Sequence, residues 1–380
     1  MGKNRFVYAL ATLTGTIIGV GLFSLPYIAS KVGIWVMLFY FLILSLVSIL
    51  TSLIYGEIVL RTKGFHRFAG YAERYLGLPG KIIGFIFTGL SLIGAILAYL
   101  VVGGQFLFSL FQPILGGSYL IYVLIYFSLG AFLIYFGIKG IAQTELCCLL
   151  LFLLALGLIF WRGFSSIDLN NLLAFDAKYF FLPYGAILFS LSSAGIIPEI
   201  KEMLSNDLKS LKKVILLSSL IAVFTYLVFI LVITGITGEN TSTEAITGLK
   251  GSLNNGIVSL ILIFGFLTTF TSYLTIGLSL KKTLWYDLKI KESLAWAIAC
   301  FSPLILFLLG VKDFIAIVSL VGGVALGAGL IFTIFIYHQA RKKGELKPAY
   351  SLNLPKILTY GLILFFVLGI IYEIIYFAGI

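Results

Sequence analysis

The sequence predicts an all-α polytopic membrane protein, and two observations support this class. Only 11% of the 380 residues are charged and 61% are hydrophobic, whereas a soluble domain usually has roughly 25% charged residues. The apolar residues also form long runs, and roughly 20 such residues are enough for an α-helix to cross a bilayer. Runs of this length and uniformity do not fit the alternating strands of a membrane β-barrel.

Eleven segments are long enough to span the membrane. They are predicted at 6–30, 33–60, 82–110, 119–137, 144–162, 178–203, 212–235, 255–280, 292–311, 313–338 and 356–379. Residues 1–380 are therefore expected to form a single domain in the lipid bilayer. In the inner connection after the second segment, Phe68, Ala72 and Tyr75 recur at helical spacing. This pattern predicts an amphipathic helix along the membrane surface.

The lysines and arginines predict the orientation of the segments. With a cytoplasmic N-terminus, 21 of the 26 basic residues fall in inner connections and five in outer ones. An excess of this kind is expected on the cytoplasmic side of the cell membrane. Because eleven is an odd number, the C-terminus is predicted to be extracellular. The net charge of +11 is explained by this distribution, so nucleic acid is not an expected partner.

The first and sixth segments are each interrupted near the middle. Residues 14–21 read TGTIIGVG, and each glycine weakens a helix by roughly 1 kcal/mol relative to alanine. Residues 189–195 read FSLSSAG, where serine hydroxyls compete for backbone carbonyls. Non-helical backbone at membrane depth is tolerated only where it is buried in protein or lines a polar cavity. The two interruptions are therefore expected to face each other at one site.

Such a site suits a zwitterion. The N-termini of half-helices attract a carboxylate, and exposed carbonyls attract an ammonium group or a cation. We therefore predict a secondary transporter for a small, neutral amino acid, with no catalytic residues. The predicted substrate-binding residues are Gly15, Thr16, Ile18, Gly19, Val20, Gly21, Phe189, Ser190, Ser192, Ser193 and Gly195. The alternative interpretation is that the glycines only allow close helix packing, as in GxxxG motifs.

The spacing of the two interruptions predicts internal symmetry. They lie five segments apart, and a second copy of an odd-numbered unit enters the membrane in the opposite orientation. This predicts a five-plus-five inverted-repeat fold in which helices 1 and 6 are broken. Residues 1–162 and 163–339 would be the two repeats, and residues 340–380 would carry an extra eleventh helix.

Four short motifs carry a family resemblance. They read GTIIGVGLFSLP at 15–26, GYAERYLG at 70–77, AYLVVGG at 98–104 and IPEI at 197–200. Together they resemble the amino acid–polyamine–organocation superfamily, and most closely its amino acid/auxin permease and aromatic amino acid permease branches. The resemblance implies cation-coupled uptake by alternating access. It also implies that Tyr99 on the third segment and Phe270 on the eighth lie beside the substrate.

The coupling ion is left open between sodium and a proton. By the same resemblance, a sodium site would use hydroxyls of the eighth segment and carbonyls of the eighth and first segments; its predicted ligands are Gly15, Ile18, Thr268, Thr271 and Ser272. An all-oxygen set suits a hard cation. The acidic candidates for a proton are Glu57, Glu199, Glu202 and Glu373. Glu199 is the favoured gating or proton-carrying residue, because it follows Pro198 on the inner half of the sixth segment.

Other functional classes fit the sequence less well. Two histidines, and three cysteines without a C-x-x-C pair, do not supply the ligands or bases of a membrane enzyme. We find no ring of charges of the kind that lines a channel. A non-transporting amino acid sensor of the same fold and an exchanger without ion coupling remain as alternatives. No cofactor other than the coupling ion is expected, and the protein is expected to act as a monomer.

Overall fold

The computed structural model describes residues 2–137, 141–205, 207–252 and 255–378, and every regular element in these ranges is helical. The α-helices are α1 (Gly2–Ile17), α2 (Leu25–Arg61), α3 (Phe68–Leu115), α4 (Tyr119–Phe136), α5 (Ile141–Gly163), α6 (Pro183–Ser190), α7 (Ile197–Met203), α8 (Ser210–Thr237), α9 (Asn255–Lys282), α10 (Glu292–Leu308), α11 (Phe314–Leu320), α12 (Gly327–Lys343) and α13 (Lys356–Ala378). A 3₁₀ turn at Val20–Ser24 joins α1 to α2, and a π-helical segment at Val321–Leu326 joins α11 to α12. The predicted all-α class is confirmed.

Seven helical segments in the described ranges are long and apolar enough to cross a membrane. They are Val20–Arg61, Phe68–Leu115, Tyr119–Phe136, Ser210–Asn240, Gly256–Asp287, Phe314–Lys343 and Lys356–Ala378. Shorter apolar helices occupy Leu153–Ser166 and Glu292–Leu308. The chain is therefore a multi-span membrane protein. The total of eleven spans stays a prediction, because α1, α6 and α7 are each too short to cross a bilayer alone.

Two glycines divide long helices close to predicted boundaries. Gly33 in α2 has a φ of +77° and Gly77 in α3 a φ of +75°, a region that glycine occupies without steric cost. Gly33 separates the first predicted segment from the second. Gly77 separates the short N-terminal part of α3 from the membrane span. In that short part Ala72 and Tyr75 are buried while Glu73 is exposed, so a helix with two different faces is present. Its place along the membrane surface stays a prediction.

Helix packing brings the interrupted segments together. Both α1 and α2 pack against α8, while α6 packs against α2 and against the π-helical segment. Helix α3 packs against α4 and α9. Glycine allows a close approach there, because a methyl group on Gly103 would lie 2.7 Å from the hydroxyl oxygen of Tyr126. The packing interpretation of the glycines therefore holds for Gly103, which lies outside the two interruptions.

Candidate functional site

The interruption predicted in the first segment is present. Helix α1 ends at Ile17, and Gly19 adopts an extended conformation with φ −111° and ψ −158° before the 3₁₀ turn begins at Val20. The Gly19 N–H donates to the Ile17 carbonyl at 2.8 Å, which is a tighter turn than an α-helix allows. The backbone therefore leaves the helical path between residues 17 and 20, with Ile18 and Val20 both buried.

The interruption predicted in the sixth segment is present as well. Helix α6 ends at Ser190, and α7 begins only at Ile197. The Ser190 hydroxyl donates to the Ala186 carbonyl at 2.7 Å, so this serine bonds its own helix as its residue type predicts. Residues 191–193 between the helices are non-helical.

The two interruptions touch each other. Gly21 lies against Ser190 so closely that a methyl group on Gly21 would be 2.9 Å from the Ser190 Cα and 3.0 Å from Cδ1 of Phe189. Atoms of Gly21 and Ser190 are buried, so this is an internal contact between the two segments. Only a residue without a side chain permits it. The structure thus brings together Gly21, Phe189 and Ser190 from the predicted substrate site.

Tyr226 on α8 connects both interruptions, and sequence reasoning missed it. Its hydroxyl lies 2.6 Å from the Ile17 carbonyl oxygen and 2.8 Å from the Ser190 carbonyl oxygen. These carbonyls belong to the last residues of α1 and α6, where helix carbonyls lack intrahelical partners. The side chain is completely buried. The available signal was a phenol in the middle of the apolar helix α8, which is the seventh predicted segment. A tyrosine in a membrane helix is not distinctive by itself.

Tyr99 reaches the first interruption, and its place beside the substrate, which the resemblance implied, stays a prediction. Its hydroxyl accepts a hydrogen bond from the Val20 N–H at 3.2 Å. A methyl group on Gly19 would lie 2.6 Å from the same oxygen. Phe270 lies in a different environment. The centroid of its ring is 5.2 Å from that of Tyr126 and 5.5 Å from that of Phe266. Its predicted place beside the substrate stays a prediction.

Hydroxyl groups of α2 support the second interruption. Ser48 donates to the Leu191 carbonyl at 2.9 Å, and the hydroxyls of Ser52 and Ser193 lie 2.9 Å apart. A cavity of about 10 Å³ adjoins them; its lining residues are Ser48, Thr51, Ser52, Leu188, Ser192, Ser193, Leu326 and Leu330. That volume is close to the space one water molecule needs. Ser192 and Ser193 therefore lie on the α2 side of the site.

Several other predicted substrate residues lie apart from the contact between the interruptions. The Thr16 side chain is exposed and donates to the Thr12 carbonyl one turn earlier in α1. Gly195 is exposed, and a methyl group placed on it would meet no atom within 4 Å. Gly15 is partly exposed in the last turn of α1. These three residues border the interruptions in sequence without contributing to the contact itself.

The predicted sodium ligands are divided between two helices. Thr268, Thr271 and Ser272 are all buried on α9, and the Thr271 hydroxyl donates to the Thr268 carbonyl at 3.1 Å. Helix α9 packs chiefly against α3 and α5, whereas α1, which carries Gly15, packs chiefly against α8. Two of the predicted oxygen ligands thus bond each other within one turn of α9.

The acidic candidates differ in their surroundings. Glu57 is completely buried and forms an ion pair with Arg61 at 2.8 Å. It also accepts a hydrogen bond from the Leu352 N–H at 2.7 Å, which holds the segment before α13 against α2. Glu199 on α7 is partly buried, and its Oε2 has no hydrogen-bond partner among the described residues. Glu202 borders a depression of about 380 Å³ between α7 and the start of α1.

The fold and the site define a class of protein. Two interrupted apolar segments meet inside a multi-span helical membrane protein, and their half-helix ends are joined by a buried tyrosine. Interrupted helices of this kind form the substrate sites of membrane transport proteins.

The sequence model of the tryptophan/tyrosine permease family matches residues 2–374, and the chain belongs to that family. Tyrosine-specific transport system 1 of Haemophilus influenzae is 26% identical over 299 residues, which cover 73% of this chain and 72% of that protein. Tyrosine-specific transport system 2 of the same organism is 24% identical over 250 residues, which cover 63% of this chain and 60% of that protein.

The family settles the broad function. The chain is a membrane transporter of amino acids and not an enzyme. The match supports the aromatic amino acid permease part of the resemblance. Membership of the wider amino acid–polyamine–organocation superfamily stays an interpretation of the four sequence motifs.

Proposed function

We propose that this chain is a secondary active transporter that carries a neutral aromatic amino acid, tyrosine first among them, by cation-coupled alternating access. The contact between Gly21 and Ser190 is the observation that carries the proposal. It places backbone from both interrupted segments at one buried point, where peptide dipoles can bind a zwitterion without charged side chains. The choice of tyrosine rests on the family and on the two relatives named as tyrosine transport systems.

Different ends of the half-helices would bind the two charged groups of the substrate. The 3₁₀ turn that starts at Val20 would supply N–H groups for the substrate carboxylate, which would replace the Tyr99 hydroxyl as the acceptor of the Val20 N–H. The carbonyls of Ile17 and Ser190 end α1 and α6, and each would accept from the ammonium group beside the Tyr226 hydroxyl. Phe189 is only partly buried and lies beside Gly21, so its ring is available to an aromatic substrate side chain.

The proposed architecture has eleven spans arranged as two inverted five-helix repeats and one extra helix. In this arrangement α1 with the first part of α2 forms span 1, and α6 with α7 forms span 6. The distribution of 21 inner and five outer basic residues supports a cytoplasmic N-terminus and an extracellular C-terminus. A reporter that is active on only one side of the membrane, fused after residue 378, tests this orientation; cytoplasmic activity contradicts it.

Uptake into proteoliposomes tests the transport proposal. Purified protein is reconstituted, and a panel of labelled amino acids is offered with a sodium gradient, with a proton gradient, or with neither. We expect tyrosine or tryptophan to accumulate under one of the two gradients. If sodium drives uptake, Thr271→Ala should abolish the sodium dependence, and full retention of that dependence contradicts the sodium site. No accumulation of any amino acid contradicts the transport proposal.

Two alternative functions predict different results in the same vesicles. A sensor binds tyrosine, as measured by equilibrium binding to the purified protein, yet gives no uptake under any gradient. An exchanger takes up labelled tyrosine only when unlabelled amino acid is present inside. Accumulation into empty vesicles under an ion gradient contradicts both alternatives.

A further inference from the structure

Helix α13 presents one face to the rest of the protein, and Glu373 is the acidic residue on that face. The buried residues of α13 recur at three- and four-residue spacing as Thr359, Leu362, Phe366, Gly369 and Glu373, which is the pattern of a single helix face. Glu373 is only 1% exposed. A carboxyl group within a membrane span is costly, and residues of this kind usually serve ion or proton pathways.

The Glu373 carboxyl lies in a cradle of backbone from α6 and the π-helical segment. Its Oε1 accepts a hydrogen bond from the Gly185 N–H at 2.9 Å, in the first turn of α6, where N–H groups lack helical partners. A methyl group on Gly185 would lie 2.5 Å from that oxygen, and one on Gly323 would lie 3.0 Å from Cδ of Glu373. The cradle therefore depends on glycine at both positions, beside a π-helical segment of the type often found at functional sites.

The second carboxyl oxygen of Glu373 has no hydrogen-bond partner in the described part of the chain. Oε2 is buried and accepts no hydrogen bond from the described residues, and the ion pairs formed among those residues do not include Glu373. The titratable side chains that face it from α2, α6 and α13 are the phenols of Tyr40, Tyr184, Tyr372 and Tyr376. Phenols keep their proton near pH 7, so the carboxyl is the acidic group of this cluster that can carry a charge.

We propose that Glu373 is the proton-binding group of the transport cycle, with the proton carried on Oε2. This inference rests on the proposed function and fixes its coupling ion. A proton enters from one side of the membrane and neutralises the carboxylate, and its release to the other side restores the charge. No other group has to be consumed or supplied in this step.

Helix α6 links the proton site to the substrate site. Gly185 bonds the carboxyl and Ser190 ends the same helix at the interruption, and five residues of α-helix span about 8 Å. A hydrogen bond to an ionised carboxylate is stronger than one to a neutral carboxyl. Protonation of Glu373 therefore loosens the start of α6, and the displacement reaches the Ser190 carbonyl because the short helix moves as one body.

Tyrosine-driven proton entry into proteoliposomes tests the inference. The full chain is reconstituted with a pH-sensitive dye trapped inside, and tyrosine is added outside without sodium. Wild-type protein should acidify the lumen. Glu373→Gln should lose this proton entry but still exchange external labelled tyrosine for internal tyrosine. Glu239→Gln, which changes an exposed acid in an outer connection, should behave as wild type in both measurements.

The possible results separate the inference from the proposed function. Proton entry at the wild-type level in Glu373→Gln overturns the inference, and so does wild-type uptake that follows a sodium gradient and moves no protons. Absence of any tyrosine movement in wild type overturns the proposed function as well. If Glu373→Gln does not fold, Glu373→Asp replaces it, since it keeps a carboxyl but withdraws it from Gly185. The pH at which tyrosine uptake is half-maximal should then differ between Glu373→Asp and wild type, and an unchanged value overturns the inference.

Discussion

Replacement of Tyr226 by phenylalanine tests the connection between the two interrupted segments. The change removes one oxygen atom that lies 2.6 Å from the Ile17 carbonyl and 2.8 Å from the Ser190 carbonyl, and it leaves the packed ring in place. A phenol has a single proton, so at any moment it donates fully to one of these two carbonyls. The substitution therefore removes one hydrogen bond. It leaves the Ser190 carbonyl without the Tyr226 hydroxyl, whereas the Ile17 carbonyl keeps the Gly19 N–H as a donor.

The size of the effect follows from those two losses. A hydrogen bond contributes roughly 1 kcal/mol net, and a buried carbonyl left without a partner costs about 1–3 kcal/mol. Hydrogen bonds between membrane helices average nearer 0.6 kcal/mol, because the unfolded chain in the membrane also finds partners. We therefore expect a loss of about 1–2 kcal/mol, which is roughly a 5- to 30-fold change in an equilibrium constant.

Two measurements check this expectation. Thermal unfolding in detergent should show Tyr226→Phe to be less stable than wild type, and the half-saturation concentration for tyrosine uptake should rise. Tyr360→Phe serves as the matched control, because Tyr360 is 58% exposed on α13 and the substitution keeps the ring that stacks on His338. Wild-type stability together with wild-type uptake in Tyr226→Phe would refute the role of Tyr226 as the link between the segments.

Two further substitutions test the closest contact and the buried ion pair. Gly21→Ala places a methyl group 2.9 Å from the Cα of Ser190, so it should separate the interrupted segments and abolish uptake. The control Gly361→Ala adds a methyl group that meets no atom within 4 Å and should retain uptake. Uptake by the Gly21→Ala protein contradicts the contact between the two segments. Glu57→Gln breaks an ion pair in which the acid is buried and the Arg61 side chain is 16% exposed. It should reduce the stability measured by thermal unfolding by about 3 kcal/mol, the lower end of the cost of breaking a buried pair. The exposed Glu239→Gln should leave the unfolding temperature unchanged, and equal stability of the two variants contradicts the expectation for Glu57.

The sequence was sufficient to predict the helical membrane class and the positions of both interruptions. Low charge and long apolar runs leave no alternative to helices in a bilayer, since each backbone polar group must be satisfied within its own segment. Glycine at 15, 19 and 21 and serine at 190, 192 and 193 are local signals, because these residue types weaken a helix wherever they occur. Structure and sequence agree at Gly19, Ser192 and Ser193, which are non-helical, whereas Gly15 and Ser190 remain in the last turns of α1 and α6.

The partners of these positions depended on tertiary structure. Tyr226, Ser48 and Ser52 contact the interruptions from other helices, and nothing in their own sequence neighbourhood distinguishes them from ordinary membrane-helix residues. The contact of Phe270 with Tyr126 is likewise not specified by its residue type, and its place beside the substrate stays a prediction. Which face of a helix meets which neighbour is set by the packing of the whole bundle.

For Glu373, the sequence determines one part of the site and tertiary packing determines the other. Its presence on the face of α13 that continues from Thr359 through Phe366 can be read from the sequence spacing alone. One of its oxygens binds the Gly185 N–H, and the other has no partner among the described residues. Both facts depend on how α13 packs against α6 and the π-helical segment. The chain by itself therefore determined where its helices run and where two of them break. Packing decided which buried groups meet, because those contacts join residues between 36 and 209 positions apart, whose approach no local pattern encodes.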